Sequence, residues 1–267
     1  MARTGAALKP APFEYSAPSS LDEALALLDD DSRPLAGGQS LVPLLNFRLA
    51  RPERIVDLNG VAELAYIRRS GGVLRIGAMT RQAALERSAL VAEHWPLLRQ
   101  AVRFVGHAQI RARGTVGGSV AQADPKAELP VALAALDARF HVRSPRGERT
   151  LGAGELFAGP LMTTLAPDEL LTEIEVPPLP PGARTAFAEH ARTHGDFAAA
   201  GAAVVLAPGH AAVALLGPVR ARDAEAALRG GAAAPEAAAL AGAEVAEGHP
   251  RALTAELVRR AIEAARS

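Results

Sequence analysis

Between Pro177 and Gly182 the chain reads PPLPPG, four prolines in six positions. Proline locks φ near −65° and has no amide proton, so this run continues neither a helix nor a central strand. It predicts a break that divides the 267 residues into a unit over 1–176 and a second over 183–267. Beyond it, TAFAEHAR, FAAAGAAVVLAPG and HAAVALLGPV read as three strands with turns between them. ARDAEAALRG and TAELVRRAIEAARS then read as helices. Strands followed by helices predict a small α+β domain with a three-stranded antiparallel sheet. The alanine-rich stretch from Gly230 to Gly248 is too low in complexity to assign.

Before the break, Ser20 and Glu23 have capping-box spacing at the head of an amphipathic helix that carries Leu21, Ala24, Leu25 and Leu28 on one face. RPLAG and RIVDL read as strands. Ser70, Gly71 and Gly72 supply the turn of a hairpin, and Thr80 is placed to cap the helix that follows, which Pro96 divides. AELPVALAALDA reads as a helix, RFHVRSPRGERTLGA as a hairpin, and ELLTEIEVP as a strand with one face buried.

Composition narrows the function. Formal net charge is zero and the basic residues are scattered among acidic ones, so no footprint for nucleic acid or an anionic membrane exists. Cysteine is absent, which excludes disulfides, thiolate metal sites, iron–sulfur ligation and a cysteine nucleophile within the chain. Redox chemistry here therefore requires a bound cofactor. MARTGAALKPAPFEYS lacks the apolar core of a leader, and no stretch reaches the roughly 18 apolar residues of a membrane span, so a cytoplasmic location is expected.

Two glycine pairs carry the chemical signal. LAGGQS places Gly37 and Gly38 beside Ser40, and RGTVGGSV places Gly117 and Gly118 between Thr115 and Ser119. Neither fits the dinucleotide fingerprint or holds a P-loop lysine. A lone pair is most often a turn. The repeated pattern of bare N–H groups beside a hydroxyl instead predicts two nests of donors suited to a diphosphate. Arg111 and Arg113 either pair with that anion or fasten the loop. His190 and His194 have helical metal-pair spacing but fall in a strand-like segment without a third ligand, so no metal is assigned.

LAGGQSLVPLLNFRLARPERIVDL and IRARGTVGGSVAQADPKAELP closely resemble the two flavin-binding signatures of the FAD-binding medium subunit of molybdenum hydroxylases, the family of carbon monoxide and bacterial xanthine dehydrogenases. EHARTHGDFAAAGAAVV is similar to that family's segment after the linker. The resemblance implies an α+β fold of the vanillyl-alcohol-oxidase (PCMH) type, with subdomains of about 1–59 and 60–176 and the C-terminal α+β domain behind the prolines. It implies that Ala36, Gly37, Gly38, Gln39, Ser40 and Leu41, with Thr115, Gly117, Gly118 and Ser119, wrap the diphosphate and ribityl chain of FAD. Asp124 and Glu128 match acidic positions beside the cofactor, where a carboxylate accepts hydroxyl hydrogen bonds; a plain helix N-terminal acid is the other reading of Glu128. Asp196 and Phe197 match a position against the isoalloxazine ring, and Leu171 an apolar contact to it; the other reading of Phe197 is core packing. His107 also matches a family position. Some relatives carry a lysine near the start of the third block, where this chain has FAEH.

The same resemblance implies electron relay without a catalytic acid, base or nucleophile from this chain. FAD receives electrons from iron–sulfur clusters in a small subunit, a large subunit holds the molybdenum cofactor, and NAD, a quinone or oxygen is the acceptor. The assembly expected is a dimer of heterotrimers. A self-contained FAD-dependent oxidase or reductase and a flavin-free scaffold are the alternatives.

Overall fold

Parallel pairing begins the chain. β1 (Glu14–Ser16), α1 (Leu21–Ala26), β2 (Ser32–Leu35), α2 (Leu41–Asn46) and β3 (Arg54–Asp57) succeed one another, and β3 lies between β1 and β2 in a parallel sheet. The computed structural model describes residues 9–245 and 249–267; the first eight residues of the segment read for a leader, and 246–248 at the end of the alanine-rich stretch, lie outside them. Ser20 caps α1 as expected, accepting the Glu23 N–H at 3.3 Å. The apolar face then packs Leu21, Ala24, Leu25 and Leu28 with Val56, Leu58 and Met79.

β4 (Ile67–Ser70) and β5 (Val73–Gly77) form the expected hairpin, with Gly71 and Gly72 at φ of 59° and 84°. The helical stretch after it breaks twice, into α3 (Gln82–Arg87), α4 (Ala89–His94) and α5 (Pro96–Val102). Pro96 makes the second break; Ser88, which accepts the Val91 N–H, makes the first. Thr80 caps nothing. The N-cap is Arg81, and the Thr80 hydroxyl donates instead to the Tyr66 carbonyl at 2.8 Å, because the β5 end brings that acceptor closer.

Then come α6 (Ala108–Arg113), α7 (Val116–Gln122), α8 (Glu128–Ala135), β6 (Arg139–Ser144), β7 (Gly147–Gly152), α9 (Ala153–Leu156), β8 (Phe157–Gly159), β9 (Met162–Thr163) and β10 (Leu170–Val176). The antiparallel order β4-β5-β10-β6-β7 puts β10 in the middle of its sheet. It is consequently buried on both faces, where the alternation predicted one. Glu173 tolerates this because the Tyr66 hydroxyl donates to it at 2.6 Å and Arg75 pairs with it.

After the prolines, β11 (Arg184–His190), β12 (Ala200–Ala207) and β13 (His210–Leu215) form the expected antiparallel meander, and the two-residue β14 (Val219–Arg220) adds a fourth strand. α10 (Arg222–Arg229), α11 (Ala234–Ala243) and α12 (His249–Arg266) cover one face of it. The alanine-rich stretch folds as α11 because small side chains allow close approach: Ala234, Ala237, Ala238 and Ala241 pack with Val258 and Ala261 of α12. The α8 helix, buried along its whole length and apolar after Glu128, lies against β12 and β13 on the other face, so one core runs from Leu129 and Phe140 to Val205 and Ala214 across the proline break. The break itself is anchored. Trp95, the only tryptophan, is 1% exposed and donates its indole N–H to the Pro177 carbonyl at 2.7 Å. Among the described residues no helix is long and apolar enough to cross a membrane.

Candidate functional site

A cavity of about 600 Å³ opens where the β2–α2 turn, the head of α7, the first turn of α8, the start of β10 and the β11–β12 loop converge. The sequence-predicted residues all line it. Ala36, Gly37, Gly38, Gln39, Ser40 and Leu41 come from the first turn, and Thr115, Gly117, Gly118 and Ser119 from the second glycine segment. Asp124, Glu128, Leu171, Asp196 and Phe197 complete the set.

The first turn is a nest of free donors. Gly38 sits at φ +74°, where a side chain is strained, and α2 starts three residues later. The N–H groups of Gly38, Gln39, Ser40 and Leu41 have no protein acceptor among the described residues, and the Ser40 side chain does not cap them. Four neighbouring donors at the positive end of a helix are a receptor for an anion. Gly37 is bare for a second reason: a Cβ there would lie 2.5 Å from the Arg113 carbonyl oxygen and 2.7 Å from the Gly114 Cα.

The second pair is built differently from the expected nest. Val116 donates to the Thr80 carbonyl and Gly117 to the Ala78 carbonyl, both at 2.9 Å. Gly118 donates to Thr115 Oγ1 at 3.0 Å, and Ser119 to the Thr115 carbonyl at 3.2 Å. Thr115 and the residues just after β5 thus accept from Val116, Gly117, Gly118 and Ser119 at the head of α7. The glycines serve close packing: a Cβ on Gly117 would lie 2.5 Å from the Ala78 Cβ, and one on Gly118 2.7 Å from Thr115 Oγ1. One segment offers donors, and the other is the wall against which it is held.

Residues that sequence reasoning missed tie the two together. Asn59 donates to the Ala36 carbonyl at 3.0 Å and accepts from Arg81 at 2.6 Å, while Arg81 also donates to the Arg113 carbonyl. Asp57 holds Asn59 through its side chain and its N–H, the latter at 2.9 Å. Burial pushes the Asp57 carboxyl up, but hydrogen bonds from Tyr15 and Asn59 and the charge of Arg81 outweigh it and leave the group below its ordinary value. The signal available was the DLN sequence that ends β3, an Asx-turn pattern. Arg111 fastens its loop, bonding Glu86 at 2.8 Å and the Val105 carbonyl at 3.1 Å. His107 lies under Gly195, where a Cβ would come 2.6 Å from its ring, and His194 stacks near Phe104.

The remaining lining residues differ in chemistry. A register shift in β10 between Leu171 and Glu173 leaves Thr172 unpaired with β6 and turns Leu171 to the cavity. Phe197 is 67% exposed at the cavity wall, which removes the core-packing reading; the Lys126 ammonium stands 6.0 Å from its ring centroid. Asp196 accepts the Phe197 N–H at 2.9 Å and meets Arg192 at 3.3 Å. Asp124 accepts the Lys126 N–H at 2.9 Å. Glu128 is only 8% exposed, and burial first, then the Asp124 charge, pushes its carboxyl up to about 7.

Comparison with known proteins gives the family. Residues 11–179 match the family described as "FAD binding domain in molybdopterin dehydrogenase". The chain is 47% identical over 202 residues to the 6-hydroxypseudooxynicotine dehydrogenase complex subunit alpha of Paenarthrobacter nicotinovorans, covering 74% of this chain and 68% of that one. It is 40% identical over 273 residues to the nicotine 6-hydroxylase medium subunit of the same organism, covering 94% and 96%. Among solved structures, a carbon monoxide dehydrogenase from Hydrogenophaga pseudoflava superimposes with a TM-score of 0.90 at 38% identity over 96% of this chain and 98% of that one. With its core signatures gathered on one cavity, the chain belongs to the FAD-binding medium subunits of the molybdopterin dehydrogenase family.

Proposed function

We propose that this chain holds FAD in the 600 Å³ cavity and relays electrons from an iron–sulfur subunit to a small-molecule acceptor, within a complex that also contains a molybdenum-cofactor subunit. The observation that carries the reading is the row of four free N–H groups from Gly38 to Leu41 beside a glycine at φ +74°. A diphosphate supplies the oxygens that those donors lack, and a Cβ at Gly38 would crowd the Val42 side chain at 3.1 Å. Bound FAD supplies the exchange between one-electron and two-electron carriers. The chain's own residues bind and orient: the first turn holds the anion, Asp124 and Glu128 face the polar middle of the cavity, and Leu171 and Phe197 offer apolar surface to a ring.

Absence of cysteine places the clusters on another chain. The acceptor is NAD, a quinone or oxygen, and the complex is a dimer of heterotrimers. The test is a visible absorption spectrum of the purified chain with and without added FAD, followed by co-purification with tagged neighbouring gene products. A flavin spectrum, capture of an iron–sulfur and a molybdenum subunit, and no substrate hydroxylation by the chain alone are expected. Hydroxylation by the isolated flavoprotein would instead establish a self-contained oxidase, and failure to bind FAD a scaffold.

A further inference from the structure

The proline run that divides the chain ends in a turn that forms the rim of a second cavity. Pro180 to Ala183 closes with the Ala183 N–H on the Pro180 carbonyl at 3.0 Å and Gly182 at φ +71°. The connection between β12 and β13 has the same proline-glycine order: Pro208 and Gly209 join Ala207 to His210, and Gly209 sits at φ +70°. The two turns are neighbours, since a Cβ on Gly182 would stand 3.8 Å from the Pro208 ring. A turn of this kind bonds its first carbonyl to its fourth N–H and leaves the glycine N–H outside. Neither the Gly182 nor the Gly209 N–H has an acceptor among the described residues.

This cavity, of about 230 Å³, is also lined by Arg184 at the start of β11, His210, Arg229 at the end of α10 and Arg266 at the end of α12. No carboxylate is among its described lining residues. An arginine that ends a helix can bond that helix's own last carbonyls. These two reach elsewhere: Arg229 donates to the Ala211 carbonyl of β13 at 3.5 Å, and Arg266 to the Ala232 carbonyl between α10 and α11 at 3.0 Å. Each spends one nitrogen of its guanidinium and keeps the rest. The Arg184 side chain makes no hydrogen bond or ion pair among the described residues. Acids on the same helices are committed to other partners, Glu225 to Arg220 and Arg222 and Glu263 to Arg259. Three like charges around one space repel until an anion enters it, and guanidinium forks match phosphate oxygens in pairs.

We propose that this cavity is a separate anion site that takes a phosphoryl dianion, free or at the end of a small phosphomonoester. Arg184, Arg229 and Arg266 supply charge and paired donors, and the Gly182 and Gly209 N–H groups supply neutral ones. The proline in each turn fixes the rim before the ligand arrives, which lowers the entropy lost on binding. Size favours a small ligand: sites for drug-sized molecules run to ~300–1,000 Å³, and this one is smaller. It is also remote from the larger cavity. Arg184 begins β11, and the β11–β12 loop that lines the larger cavity leaves its other end, a strand length of about 20 Å away.

Isothermal titration of the full chain with orthophosphate, against chloride at matched ionic strength, tests this. The donor turn from Gly38 to Leu41 also offers N–H groups to phosphate, so the titration is repeated on the Gly38→Asp chain, in which that turn is blocked. Both chains should bind phosphate. Arg184→Gln and Arg229→Gln, at exposed positions whose replacement leaves the fold intact by circular dichroism, should each weaken binding roughly tenfold in either background, the loss of one charge-assisted hydrogen bond. Glycerol 3-phosphate distinguishes the source: binding tighter than that of orthophosphate supports an esterified ligand, and weaker binding the free ion. A phosphate heat no larger than that of chloride overturns the proposal. So does phosphate binding that Gly38→Asp abolishes and the arginine variants leave unchanged. Release of a co-purifying subunit by the arginine variants, from a chain that binds no phosphate, would assign the surface to an acidic protein partner instead.

Discussion

Asn59 accepts a hydrogen bond from the Arg81 guanidinium at 2.6 Å while donating to the Ala36 carbonyl at 3.0 Å, so one amide side chain ties the donor turn to the helical wall behind it. Removing either partner should loosen the turn without touching its four free N–H groups. Asn59→Ala and Arg81→Met should each cost about 1–2 kcal/mol of stability, the range for a hydrogen bond whose partner is left unsatisfied. FAD affinity should fall roughly tenfold in both. Denaturant unfolding and flavin fluorescence titration measure the two effects, and additivity in the double variant would show that the residues act separately.

The two glycine pairs should respond differently to the same substitution. Gly38→Asp adds a charge beside the anion receptor and some strain at φ +74°, so the chain should fold and bind no FAD, since like charges at ~4 Å repel by several kcal/mol at an effective dielectric of about 20. Gly117→Asp drives a Cβ to 2.5 Å from Ala78 and should lower stability by roughly 1–3 kcal/mol or more, with FAD loss following from misfolding. Thermal melting compared with bound-flavin content separates these outcomes. A stable, flavin-free Gly117→Asp chain would show that the second segment touches the anion directly.

Phe197 stands exposed at the cavity wall, so Phe197→Ala should change stability by less than about 0.5 kcal/mol. FAD binding should persist, because the anion receptor lies on another segment. The rate at which reduced flavin reacts with oxygen should change, and stopped-flow oxidation records it. Unaltered kinetics would remove Phe197 from the ring environment.

The acid buried in β10 sets a pH dependence of its own. Burial pushes Glu173 up, but hydrogen bonds from Tyr66 and Arg75 outweigh it, so its folded-state value lies below the ordinary one. A depressed carboxyl contributes stability above its unfolded value, near pH 4.3, and loses it as pH falls toward the folded value. Denaturant unfolding between pH 3 and 7 should therefore show a decline on the acid side that Glu173→Gln flattens. Tyr66, held up at about 12 by burial first and the Glu173 hydrogen bond second, should titrate late in an alkaline absorbance scan. Tyr66→Phe should cost about 1 kcal/mol at pH 7.

Local sequence determined a good deal here. Four prolines between Pro177 and Gly182 mark the break, period and capping mark α1, and the glycine signatures mark the lining residues, all of which reach one cavity. Absence of cysteine already excluded thiolate ligation of a metal or an iron–sulfur cluster within the chain. Tertiary structure decided what each residue does there. Segments 37–40 and 115–119 look alike in sequence, yet only the first keeps its donors, because Ala78 and Thr80 just after β5, together with Thr115 itself, supply acceptors to the second. Thr80 lost its expected cap to the Tyr66 carbonyl in the same way, and Glu173 went inside because β10 became a central strand. Hydrogen-bond partners and burial are properties of neighbours far along the chain, so a local pattern names the groups that can act and the packing of distant segments decides which of them remain free.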